Sequence, residues 1–275
     1  MKKLPVSTEN AEFQIIRSLK LSREKRNKRN EIFIEGIECI KQAAAAHIEI
    51  TRIITADVEN LSDWGKDLIG KNENATLIEM PEYLYGSLCD KTTPSELLVT
   101  AAMKENRLSD IAGDNPFIVV FDRPSDYGNL GTTIRSANAF CADGIVIVGH
   151  GIDMYESKVI RASLGSIFST KITSVESMEI LRGFIDNQKT KNNMLVIGTD
   201  SQGEASLAAV KIKRPVMVII GNEAKGMSVK LKDLCDTIVK IPMGGKVNSL
   251  NVSCAASIVM WEVFRNSEFG MGNSE

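Results

Sequence analysis

The chain has 275 residues, 43% hydrophobic and 25% charged, with a formal net charge of −2. That composition excludes a disordered or fibrous chain and leaves core enough for one large or two modest domains. Met1-Lys2-Lys3 runs into polar residues rather than an apolar signal segment, and no apolar run approaches the roughly 18 residues of a membrane span, so a soluble, cytoplasmic protein is expected.

The N-terminal part reads as a small α/β unit. Residues 12–30 suit one helix, with Phe13, Ile16 and Leu19 on a single stripe. A short strand over 31–34 and a helix over 35–46 follow. Strands over 50–55, 75–80 and 95–101 then alternate with helices over 61–69 and 81–88, Pro81 suiting a first helical turn. Residues 104–116 are polar, with Gly113 and Pro116, and read as a linker. The expected domains are therefore 1–104 and 117–275, joined by 105–116.

The second part alternates strand and helix. Strands are expected over 117–121, 144–148, near 172, and over 195–198, 216–220 and 237–241. Helices are expected over 132–142, 156–163, 178–187 and 251–266. Such alternation calls for a parallel sheet covered on both faces. In the last helix Val252, Ala255, Ala256, Val259 and Val263 form one stripe, and Ile258, Met260 and Trp261 spread beyond it. A helix apolar on so much of its circumference packs on two sides. The second side is read as a homodimer contact, with packing under the N-terminal domain as the alternative.

The five cysteines are scattered, never in a C-x-x-C pair, and sit in apolar stretches, so reduced, packed thiols are expected. With two distant histidines, neither a metal site nor a histidine-centred triad is expected. Charge is uneven. Residues 1–30 hold nine basic and three acidic side chains, so that segment carries +6 and the remainder −8. Arg23, Lys25, Arg26, Lys28 and Arg29 form a basic arm suited to nucleic acid, with a solvated helix face as the plainer reading.

Glycine and polar residues collect after the strands. The stretch 122–131 is expected to be a loop, its Gly128 and Gly131 allowing positive φ or close approach of another backbone, with Asn129 between them and Arg135 in the first turns of the helix that follows. Gly221-Asn222-Glu223 ends one strand, and Pro242-Met243-Gly244-Gly245 ends another. Ligands of open α/β sheets bind outside the carboxyl ends of strands, yet no G-x-G-x-x-G fingerprint follows a first strand.

Taken together, Asn129 with Arg135, the run 221–227 (GNEAKGM) and the run 241–253 resemble the three motifs of the SpoU (TrmH-like) RNA ribose 2′-O-methyltransferases. Order, spacing and strand context match over residues 117–265. Residues 29–36 (RNEIFIEG) and Thr93-Pro94-Ser95 are similar to the family's ribosomal-protein-like substrate-binding domain. The resemblance implies S-adenosylmethionine as cofactor, a C-terminal trefoil knot of the SPOUT type, and a homodimer. It implies cofactor contacts at Gly221, Ile241 and Leu250, with Thr199 and Met243 beside them. It implies reaction roles for Asn129, Arg135, Glu223, Ser249 and Asn251. Arginine is essentially always protonated, so Arg135 is expected to gather the hydroxyl and a phosphate rather than act as a base. The implied substrate is large-subunit ribosomal RNA, in a housekeeping or antibiotic-resistance role. Transfer RNA, a catalytically silent RNA-binding module and an unrelated nucleotide-binding enzyme are the alternatives.

Overall fold

The computed structural model describes residues 1–90 and 94–267, so Thr93 of the Thr93-Pro94-Ser95 match lies outside the described residues. The chain divides into two compact units. One is Met1–Lys104 with Asp153–Ser169; the other is Glu105–Ile152 with Thr170 onward.

In the first unit the order is β1 (Lys2–Pro5), α1 (Ala11–Leu21), α2 (Arg23–Arg29), β2 (Glu31–Glu35), α3 (Ile37–Ala45), β3 (Ile50–Thr55), α4 (Asp63–Lys71), β4 (Thr76–Glu79), α5 (Glu82–Leu88) and β5 (Leu98–Ala102). The sheet runs β1-β4-β3-β5-β2. Its first three strands are parallel, β5 is antiparallel to β3, and β2 is antiparallel to β5. The predicted stripe of Phe13, Ile16 and Leu19 is buried against Phe33, Ile54, Ile78 and Leu98.

The single helix expected over 12–30 is two helices. Ser22 leaves helical geometry at φ −129° and ψ 116°, closes α1, and accepts from Lys25 N to cap α2. A serine hydroxyl competes well for free N–H groups at a helix start, and here it breaks a pattern that charge and apolar spacing would have continued.

Residues 153–169 also join this unit, whereas strand–helix alternation placed them with 117–275. The buried Arg26 guanidinium explains the attachment: it lies 2.7 Å from Asp153 and 2.8 Å from Glu156. Cys39 Sγ packs against the Ile160 carbonyl at 3.5 Å.

The second unit contains α6 (Leu108–Ile111), β6 (Phe117–Asp122), α7 (Tyr127–Ala139) and β7 (Gly144–Val148). The chain then leaves for the first unit as α8 (Ser157–Ala162). It returns as β8 (Ile172–Val175), α9 (Met178–Asn192), β9 (Leu195–Thr199), β10 (Ala205–Ser206), β11 (Val216–Ile220), α10 (Val229–Lys232), β12 (Thr237–Lys240) and α11 (Val252–Asn266). Seven parallel strands run β10-β12-β9-β11-β6-β7-β8. The central strands β6, β7 and β11 are buried at every residue, as a parallel sheet covered on both faces requires.

Three further expectations change here. The polar stretch 105–116 is not a bare linker: it forms α6, whose Ile111 is buried in the core of this unit. Helix α7 starts at Tyr127 rather than 132, because Asp126 Oδ1 accepts from Asn129 N at 2.8 Å and caps it; neither Gly128 nor Gly131 takes positive φ. The cysteines are free, but Cys141 and Cys254 are exposed rather than packed, since α7 ends beside Cys141 and Cys254 lies on the outer face of α11. No helix among the described residues is long and apolar enough to cross a membrane.

Candidate active site

The carboxyl ends of β9, β11 and β12 and the start of α11 enclose a cavity of about 350 Å³ in the second unit. The neighbours β11 and β6 mark the point where strand order reverses, the place at which open α/β sheets bind ligands.

The loop after β11 is folded back on itself. Asn222 and Gly226 exchange backbone hydrogen bonds of 3.0 Å, and Gly226 takes φ 66°. Asn222 Oδ1 accepts from Ala224 N and Lys225 N, while its Nδ2 donates to Arg123 O at 2.7 Å. This tight return needs glycine at 221: a Cβ there would lie 2.5 Å from Met227 N and 2.6 Å from Gly226 C. The same absence of a side chain leaves backbone open to the cavity that Gly221 lines.

The fold carries Glu223 to the loop that follows β6. It accepts from Ser125 Oγ at 2.7 Å, Ser125 N at 3.1 Å and Asp126 N at 3.2 Å, and from Asn129 Nδ2 at 3.5 Å. Asn129 Oδ1 in turn accepts from Asn251 Nδ2 at 2.9 Å. Asn251 caps α11, its Oδ1 accepting from Ser253 N at 2.9 Å and Cys254 N at 3.4 Å. Side chains 94 and 122 residues apart in sequence thus form one chain of contacts, Glu223–Asn129–Asn251. Beneath it, the buried Asp122 carboxylate accepts from Ser228 N at 2.8 Å and from Arg123 Nε at 2.7 Å, locking the two loops together.

Thr199, Gly221, Ile241, Met243 and Leu250 all line the cavity, and so do Glu223 and Ser249. Thr199 Oγ1 donates to Ile219 O at 3.1 Å. Met243 and Leu250 leave 37% and 39% of their surface exposed, so the wall offers apolar area to a ligand. Asn129 and Asn251 stand beside the cavity through Glu223. Arg135 is not among the lining residues; it is exposed in the third turn of α7 and makes no ion pair among the described residues. Two residues were given no site role by the sequence reading. Asn222 shapes the loop, and Asp200 lines the cavity with its carboxylate 2.6 Å from Lys232 Nζ. The hydrogen bond from Lys232 holds Asp200 below the ordinary carboxylate range, keeping a negative charge at the wall. Their positions directly after β9 and β11 were the available signal.

The basic arm is corrected in one member. Arg23, Lys25, Lys28 and Arg29 are exposed on α2. Arg26 is 1% exposed, and it also donates to Leu19 O and Lys20 O at 2.7 and 3.0 Å. With its donors engaged inside the unit, it is unavailable to a phosphate. Among the described residues no cluster of metal-ligating side chains occurs.

The SpoU rRNA Methylase family profile matches residues 116–261, and the SpoU L30e-like domain matches residues 10–99. The chain belongs to the SpoU rRNA methylase family. A 23S rRNA (uridine(2479)-2′-O)-methyltransferase of Streptomyces viridochromogenes is 30% identical over 94% of this chain and 91% of its own length. A protein of Staphylococcus saprophyticus assigned to the TrmH family of tRNA/rRNA methyltransferases is 28% identical over 87% of this chain and 97% of its own. The crystal structure of the SpoU methyltransferase AviRb from S. viridochromogenes, in complex with AdoMet, superposes with a TM-score of 0.86 at 31% identity, covering 93% of this chain and 97% of that one. S-adenosylmethionine is the cofactor of this SpoU enzyme family, and the cavity suits it. It has apolar walls at Ile241, Met243 and Leu250, Gly221 without a side chain at its lining and a carboxylate at Asp200, and its size lies within the ~300–1,000 Å³ of small-molecule sites.

Proposed function

We propose that this protein transfers a methyl group from S-adenosylmethionine to a ribose 2′-hydroxyl of large-subunit ribosomal RNA. The observation that carries the reading is the cavity at the strand ends, where residues of the second and third motifs meet and Glu223 links to Asn129 and Asn251. The bound cofactor supplies an electrophilic methyl on a sulfonium. The protein supplies position and charge, which account for much of the rate in a displacement of this kind.

Glu223 has its carboxylate oxygens engaged by Ser125, Asp126 and Asn129. It therefore acts as a positioning residue, holding the first-motif loop against the second. Asn129 and Asn251 orient the ribose, and Ser249 closes the pocket rim. Arg135, exposed and without an ion pair among the described residues, is the cation that meets the phosphate beside the target ribose. The hydroxyl proton leaves to a phosphate oxygen or to water. Arg23, Lys25, Lys28 and Arg29 supply sequence-independent grip on RNA.

The protein acts as a homodimer through the second unit. Ile258 and Trp261 leave 40% and 48% of their surface exposed on the outer side of α11. Trp261 continues into a ring cluster with Phe140 and Phe264, at centroid distances of 5.8 and 5.8 Å. An exposed aromatic patch of this kind marks a protein contact. The C-terminal trefoil knot is proposed on family membership.

The test is methyl transfer from labelled cofactor to purified ribosomal RNA, transfer RNA and assembled ribosomal particles. Label in ribosomal RNA or its particle alone supports the reading. Label in transfer RNA alone moves the substrate class, and failure to bind cofactor moves the protein to the silent module.

A further inference from the structure

The first unit carries a second cavity, an open groove of about 490 Å³ between the end of α3 and the helix α4. Its floor is apolar: Ala44 and Ile48 on one side, Trp64 and Leu68 on the other. Leu68 is 4% exposed, and the half-buried Trp64 lines the groove beside it. Lys41 Nζ stands 5.3 Å from the centroid of that ring. His47, Glu49, Asp67 and Lys71 also line the groove. Asp67 is paired with Lys71 at 2.7 Å, and both are well exposed.

We propose that this groove binds one unpaired nucleotide of the RNA substrate, its base stacked on Trp64 and its phosphate met by Lys41 and Lys71. The proposal rests on the RNA-methylating reading and adds a contact for the first unit that the basic helix α2 does not provide. Each part of the groove has a counterpart on a nucleotide. Sequence-specific RNA recognition targets splayed bases, which stack on aromatic rings. The apolar floor takes the hydrophobic faces of base and sugar. The ammonium over the indole is held by a cation–π contact, which a stacked base displaces, turning Lys41 toward the phosphate. The carboxylates of Glu49 and Asp67 accept from N–H groups on the base edge, which favours bases bearing an amino group over uracil.

The chain has two tryptophans, so Trp261→Phe leaves Trp64 as the sole indole reporter. Titrating that variant with short single-stranded RNA should quench Trp64 fluorescence saturably, and oligoadenylate should quench at lower concentration than oligouridylate. Trp64→Ala should weaken RNA binding about ten-fold, the usual loss for one stacked base, with cofactor affinity unchanged as the check on folding. Lys41→Glu should weaken it several-fold, and it decides the matter together with the quenching should Trp64→Ala fail to fold. Unquenched Trp64, with RNA affinity within two-fold of wild type in Lys41→Glu, overturns the groove while the enzyme still binds and methylates RNA. A wild-type protein that binds no RNA overturns the wider reading and the groove with it.

Discussion

Replacing Arg26 separates a structural arginine from its exposed basic neighbours on α2. Its Nε donates to Asp153 at 2.8 Å, its Nη2 reaches Glu156 at 2.8 Å, and its Nη1 donates to two carbonyls of α1. Arg26→Ala would leave two carboxylates and two carbonyls without this partner. Removing one member of a buried ion pair costs ~3–5 kcal/mol. The Asp153 and Glu156 side chains keep 13% and 18% exposure and recover some hydration, so the lower end, about 3 kcal/mol, is expected. At a urea m-value of ~1.5 kcal/mol/M that is a midpoint shift of about 2 M. Because the chain has two units, unfolding should be followed with probes specific to the first, and the loss should appear in that transition alone. Stability within about 0.5 kcal/mol of wild type, together with an RNA affinity lowered as much as by Lys28→Ala, would refute the burial argument and return Arg26 to the RNA surface.

Other outcomes follow from the same geometry. Gly221→Ala places a Cβ 2.5 Å from Met227 N, so cofactor affinity should fall by at least ten-fold by calorimetry, and wild-type affinity would mean the loop adapts. Neutralising Arg23, Lys25, Lys28 and Arg29 together should spare cofactor binding and reduce the salt slope of RNA binding by about 3, at roughly 0.7–0.9 per phosphate contact; an unchanged slope removes α2 from the interface. Burial pushes the Cys89 and Cys235 thiols up to about 11 and about 12. Thiol labelling at pH 8 should therefore modify exposed Cys141 and spare those two, while protection of Cys254, exposed on α11, is the outcome expected of the proposed homodimer. Fast labelling of Cys235 would show that the core beside β9 opens readily.

The sequence was most legible where local pattern and packing agree. The apolar runs of β6, β7 and β11 are strands buried on both sides, and the glycine and asparagine punctuation after β11 marks the cavity. It was least legible where a distant partner decides. Arg26 looks like its neighbours in a basic run, and only Asp153 and Glu156, 127 and 130 residues away, take it out of solvent. The same pairing draws 153–169 out of the unit that strand–helix alternation assigned. At α7 the glycines argued for a loop, since glycine costs helix stability, but the Asp126 cap starts the helix at Tyr127 and so puts Asn129 on a rigid turn facing Glu223 and Asn251. Arg135 was expected in the first turns of the helix; the start at Tyr127, five residues earlier, places it in the third turn.

In the proposed reaction the linked motif residues at the strand ends position the cofactor's methyl and an RNA ribose hydroxyl for direct transfer. The most direct measurement is nucleoside mass spectrometry of ribosomal RNA treated with wild type and with Asn251→Asp. The substitution keeps an oxygen to cap α11 but removes the donor to Asn129. The expected result is one 2′-O-methylated nucleotide, stable to alkali because its 2′-oxygen is blocked, formed by wild type and reduced at least ten-fold in the variant while cofactor affinity persists. A methyl group on a base, or equal ribose methylation by both proteins, would contradict it.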